Sequence, residues 1–182
     1  MKLFILILLC PLLQGAEPPL HPVTVCEVLQ DLASYDGKVV AVVGRYSLRE
    51  TGRWLGEQKC AHKFVTGDQE WPNALWVTYD PATAPKPPDV LAVSATALAE
   101  KVREVKQGTS LTRLPFGSTD YDNWAVIYGR IETRKNLLIA TGDGTRRNGF
   151  GYGASSPASL ICHGDAVVIF LNNDAATTPA SR

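Results

Sequence analysis

Lys38-Val-Val-Ala-Val-Val-Gly-Arg-Tyr-Ser-Leu-Arg49 is the stretch on which the fold turns. Val39, Val40, Val42 and Val43 carry β-branched side chains that favour extended backbone. The run is apolar on both faces as far as Gly44 and then alternates through Arg45, Tyr46, Ser47, Leu48 and Arg49. That change reads as a strand buried on both sides at first and on one side afterwards. A glycine inside a strand marks a bulge or a sharp bend. A long first strand bent at Gly44 serves two halves of a closed sheet, which is how small five-stranded barrels remove their free edges.

A second stretch echoes the first. Trp124-Ala-Val-Ile-Tyr-Gly-Arg-Ile-Glu-Thr-Arg134 again places a Gly-Arg pair after an apolar run, with an arginine four residues later. The segments between show no matching period, so shared strand geometry accounts for the echo better than an internal duplication.

On the N-terminal side, Thr24-Val-Cys-Glu27 has the spacing of a capping box, and Val25, Val28, Leu29 and Leu32 line one face of a short helix. Tyr35-Asp36-Gly37 stops that helix just before the long strand. On the C-terminal side, Glu50-Thr51-Gly52 reads as a turn and Arg53-Trp-Leu-Gly56 as a second strand. Residues 59–69 form a polar loop, and Ala74-Leu-Trp-Val-Thr-Tyr79 is a third strand. Four prolines between Asp80 and Asp89 break all regular structure. The spacing of Leu98, Val102 and Val105 predicts a helix within 90–107, ended by Gly108. Residues 109–123 form a polar loop, and the fourth strand runs from Trp124 to about Arg134, with Asn136–Thr141 extending it through a tight turn. Gly142 to Pro157, with five glycines, reads as a flexible loop. The last strand is expected from Ser159 to about Leu171.

The first 16 residues read as a signal peptide: Lys2, an apolar run Leu3 to Leu13, then Gln14-Gly15-Ala16, too short to span a membrane. Leu8 and Leu9 stand before Cys10 where a lipoprotein signal wants small residues, which argues against anchoring there. Residues 17–22 are a proline-rich lead-in, 23–171 a single domain and 172–182 a disordered tail. Lys2 is the only charge in the leader, so 18 basic and 18 acidic residues become 17 and 18. A net charge near zero disfavours nucleic acid, which calls for a basic domain or stripe. No apolar run in the mature chain is long enough to be a transmembrane segment.

Export places Cys26, Cys60 and Cys162 in an oxidising compartment, where one disulfide and one remaining thiol is the simple arithmetic. Cys162 lies in an apolar strand and packs as a small buried group. The expected bridge is Cys26–Cys60.

The chain thus reads as mostly β with two helices: an N-terminal helix, three strands, a second helix and two strands. A helix between the third and fourth strands of a five-stranded Greek-key barrel is the order of the oligonucleotide/oligosaccharide-binding (OB) fold. Val25-Cys-Glu-Val-Leu29 and Tyr35-Asp-Gly-Lys-Val-Val-Ala-Val-Val-Gly44 resemble secreted bacterial proteins of uncharacterised function with an OB-like, tRNA-anticodon-binding-type barrel. Gly149-Phe-Gly-Tyr-Gly153 and Ser156-Pro-Ala-Ser-Leu160 are similar to the tail of the same group. The resemblance covers most of residues 23–171 and implies a fold, a periplasmic or extracellular location and no reaction.

On such a barrel the usual binding surface is the face of the second and third strands with its flanking loops. Here that surface gathers Arg49, Arg53, Trp54 and Trp76, joined by Arg146, Arg147, Phe150 and Tyr152 from the glycine-rich loop. Arginine beside aromatic rings can stack on bases or sugars and clamp anions, although the same residues serve equally well to close and solubilise a barrel. No nucleophile-and-base motif, zinc pairing or phosphate loop is present. Cys60, His62, His163 and His21 fall short of a metal site, and Arg130, Glu132 and Asp143 lack the context of a calcium nuclease. No cofactor is implied. The expectation is an exported non-enzymatic binding module for a protein, glycan or envelope component. A single-stranded nucleic-acid binder and a metal-dependent hydrolase are the alternatives.

Overall fold

A computed structural model describes residues 20–87, 93–107 and 122–163. The expected leader, the first part of the lead-in, the start of the second helix, most of the 109–123 loop, the last part of the final strand and the tail lie outside these residues.

The described chain begins with β1 (Val23–Thr24), α1 (Val25–Gln30), α2 (Leu32–Tyr35), β2 (Val39–Arg49) and β3 (Gly52–Gly56). It continues through β4 (Val65–Thr66), β5 (Gln69–Glu70), β6 (Ala74–Tyr79), α3 (Ala95–Gln107) and β7 (Asp122–Thr133). It ends with β8 (Leu138–Thr141), β9 (Gly144–Arg147), a 3-10 turn at Tyr152–Ala154 and β10 (Ala158–Cys162). Five strands pair in the order β2-β3-β6-β10-β7, and β7 pairs back onto β2, so the sheet closes into a barrel. All neighbours in the ring are antiparallel except β6 and β10.

β2 closes the ring because it has two partners. Val39 to Ser47 pair with β7, and Arg45 to Arg49 pair with β3. Gly44 stands one residue before the second partner begins, and a Cβ there would come within 2.9 Å of Leu55. Gly129 does the same for β7, where a Cβ would meet the Ile161 carbonyl oxygen at 2.5 Å. The shared Gly-Arg pattern therefore marks two close strand approaches.

Strand alternation sorts side chains into two clusters. Inside the barrel lie Val42, Leu55, Leu75, Val77, Ala125, Ile127, Ile131, Ala158, Leu160 and Cys162. Each large aliphatic buried this way contributes about 1.5–3 kcal/mol. The same cluster takes in Val25, Val28 and Leu29 of α1 and Leu32 of α2, so these helices plug one end. That end holds the start of β2 and the finish of β7: Gly37 N–H donates to Ile131 O at 2.9 Å and Thr133 N–H to Asp36 Oδ1 at 2.9 Å. The predicted capping box at Thr24 and Glu27 is formed.

The second cluster is outside the wall. Leu98 and Val105 of α3 pack on Ala41 and Val43 of β2 and on Trp124 and Val126 of β7. The Lys101 ammonium pairs with Glu27, joining α3 to α1.

Several expectations need correction. The described residues hold three α-helices instead of two, because the N-terminal helix is split at Asp31, which has φ −133° and ψ 51°. Residues 136–141 do not extend β7: β8 turns back on β9 as a separate hairpin, so Gly144–Arg147 of the expected glycine-rich loop is strand. A second small hairpin, β4–β5, occupies the 59–69 loop.

Candidate functional site

The eight residues singled out from sequence do not form one patch. On β3 and β6, Leu55, Leu75 and Val77 face inward, so Trp54 and Trp76 face outward, where their rings meet edge to face at 5.0 Å. Trp54 is only 4% exposed. Trp76 is held between two glycines of positive φ. A Cβ on Gly52 would lie 1.8 Å from Cη2 of the indole, and a Cβ on Gly151 would lie 2.1 Å from its Cε3. The glycine-rich segment therefore lies against the third barrel strand.

Ser156 fastens that segment down. Its buried hydroxyl accepts from Trp76 N–H at 3.0 Å and is within donating distance of the Ala74 and Ala158 carbonyls. Phe150 and Ser156 exchange two backbone hydrogen bonds across the loop. Arg147 lies 5.1 Å over the ring of Trp71 and donates to Glu70 O at 2.6 Å. Phe150 lies beneath Arg134 at 4.8 Å, and Arg134 donates to Asn148. Both arginines thus staple the β8–β9 hairpin and its following loop to the barrel. Arg49 donates to Leu48 O at 2.7 Å. Arg146 and Tyr152 remain on the surface, Tyr152 at 71% exposure.

Arg53 belongs elsewhere. Two residues before Leu55, it shares the inward face, at the barrel end opposite the helical plug. Its guanidinium lies 5.2 Å over the Tyr79 ring. Tyr46 and Cys162 stand near enough to feel its charge. Burial pushes both the Tyr46 phenol and the Cys162 thiol above their ordinary values, and Arg53 pulls each part of the way back. Strict two-residue alternation in Arg53-Trp54-Leu55 was the signal that separates Arg53 from Trp54. Only the fold supplies Tyr46 and Tyr79 as its neighbours.

The expected Cys26–Cys60 disulfide is formed, and Cys162 is buried and free. Glu57, missed in the sequence, sits against the bridge. Its carboxylate accepts from Cys26 N–H at 3.0 Å and from the Thr24 hydroxyl. Among the described residues, Cys26, Glu57 and Cys60 are the one group of possible metal ligands within 4.8 Å of one another, but the two sulfurs are spent on each other. Asp143 sits in the β8–β9 turn, where hydrogen bonds, first that of Thr141, hold its carboxyl below the ordinary value. Arg130 donates to Thr83 O instead.

Burial raises the Glu57 carboxyl above the ordinary glutamate value, against the pull of its hydrogen bonds to Cys26 and Thr24. The folded state therefore holds this proton more tightly than the unfolded chain does. Stability from this group is complete at pH below the unfolded value and is lost as pH rises through the folded one. Denaturation of the wild type and Glu57→Gln across pH is expected to show the wild type losing ground to the variant over that window. Parallel curves would refute it.

Comparison with protein-family models, curated proteins and solved structures finds no match. What the fold and its sites define is a class: a closed five-stranded β-barrel, plugged at one end by two short helices and tied there by a disulfide. No helix among the described residues is long and apolar enough to cross a membrane.

Proposed function

We propose that the chain is an exported OB-like barrel that works as a binding module for a protein, glycan or envelope component. The observation that supports the reading is the closed ring in the order β2-β3-β6-β10-β7, with α3 between β6 and β7 in the chain, which is compatible with an OB-like barrel. The disulfide and the leader-like N-terminus support export. The contact surface is the ledge that the β9–β10 loop builds over the third strand. Tyr152 on that ledge and Arg146 on β9, which leads into it, are the exposed side chains offered to a partner, while Trp76, Arg147 and Phe150 hold the ledge in place.

The test compares capture from an envelope extract by the wild type and by Tyr152→Ala/Arg146→Ala. Both side chains are exposed, so the variant is expected to fold normally. Loss of an exposed anchor of this kind costs about 1–2 kcal/mol, and two together reduce capture about tenfold or more. Equal capture would move the surface elsewhere. Three arginines stacked on rings, Arg53, Arg134 and Arg147, favour the nucleic-acid alternative enough to include oligothymidylate as a second probe. Binding that falls steeply with salt would replace the proposed ligand class by single-stranded nucleic acid.

A further inference from the structure

The barrel has two different ends. One is plugged by α1 and α2. The other is formed by the finish of β2, β6 and β10 and the start of β3 and β7, and no described element lies across it. The inward-facing positions at this second end are Tyr46, Leu48, Arg53, Tyr79 and Cys162. Leu48 and Tyr79 are each 50% exposed, which is unusual for large apolar side chains on the inner face of a closed sheet.

Arg53 is the one charged group among these five inward-facing positions. Among the described residues it has no hydrogen bond and no ion pair, only the face of Tyr79. A guanidinium stacked on a ring keeps its N–H donors at the edge, where they match the two oxygens of a carboxylate. The Tyr46 phenol and the Cys162 thiol are held protonated near neutrality and bring no competing negative charge. Immediately beneath, Val77 and Leu160 fill the interior, so a ligand can sit only in the mouth.

We propose that this mouth binds a small organic carboxylate, its anionic end on Arg53 and its apolar body against Leu48, Tyr46 and Tyr79. One cation and an apolar rim suit a monoanion with a hydrophobic body better than a phosphate dianion, which needs more than one positive group. The site is separate from the ledge that carries Tyr152 and Arg146.

Sodium benzoate, benzyl alcohol and inorganic phosphate, titrated into the full chain and followed by backbone amide NMR, test it. Benzoate is expected to give saturable shifts confined to residues near 46–48, 53, 79 and 162. Affinity should drop about tenfold or more in Arg53→Gln, recover in part in Arg53→Lys, and stay unchanged in Tyr152→Ala/Arg146→Ala. Benzyl alcohol, which lacks the charge, is expected to bind about tenfold or more weakly. Absence of shifts at the mouth, equal affinity in Arg53→Gln, or phosphate or benzyl alcohol binding as well as benzoate would each overturn the proposal. Envelope capture unaffected by Arg53→Gln keeps the two sites distinguishable.

Discussion

Replacing Cys26 and Cys60 together by serine is expected to lower the unfolding free energy by about 4 kcal/mol. The bridge closes a loop with a sequence separation of 34, and the chain-entropy relation gives a loss of that size when such a loop is opened. The effect has a structural target as well as an entropic one. Cys26 is in α1 and Cys60 follows β3, so the bridge fixes the helical plug to the barrel wall beside Glu57. Without it, the plug is held by the packing of Val25, Val28, Leu29 and Leu32 and by noncovalent ties such as Cys26 N–H to Glu57 and Lys101 to Glu27. With a denaturant dependence of about 2 kcal/mol per molar urea, the midpoint should fall by about 2 M. A shift below about 0.5 M would mean that packing suffices and that the bridge constrains little in the unfolded chain.

Gly52→Ala and Gly151→Ala are expected to have the next largest effects, and through one ring. Each new methyl group would enter the indole of Trp76, at 1.8 Å and 2.1 Å, and each sits on a backbone of positive φ that disfavours alanine. Overpacking costs about 1–3 kcal/mol, and the backbone strain adds about 1–2 kcal/mol. Because Trp76 must move, its edge-to-face contact with Trp54 is lost too. Near-ultraviolet circular dichroism of each variant should lose the signal of the coupled indoles, together with a lower denaturation midpoint. Gly142→Ala is the control, since nothing lies within 4 Å of a Cβ there. Variants at Gly52 and Gly151 as stable as that control would show that the ring has room to shift.

The residues along Lys38–Arg49 carry real information about the barrel because closure depends on local properties. β-branched side chains require extended backbone, and a glycine one residue before Arg45 permits the approach of Leu55 where β2 acquires its second partner. Capping at Thr24 and the pairing of Cys26 with Cys60 were equally legible, the first from spacing over four residues and the second from compartment and neighbourhood. The grouping of candidate site residues was less so. Proximity in sequence put Arg53 with Trp54, yet consecutive strand residues face opposite sides of the sheet. Arginine and aromatic residues near the glycine-rich loop looked like a binding set, but Arg147 and Phe150 are engaged within the chain itself, on Trp71 and under Arg134.

By itself the sequence determined which segments are extended, where a glycine must allow two strands to touch, and which cysteines pair, since each of these follows from side-chain shape or from the chemistry of a short stretch. Tertiary structure alone decided that α1 and α2 plug the barrel while α3 lies on its outer wall, and that Arg53 shares a mouth with Tyr46 and Tyr79. The reason is physical: these arrangements depend on contacts between residues far apart in the chain, and no local preference encodes which end of a closed sheet a helix or a charge will meet.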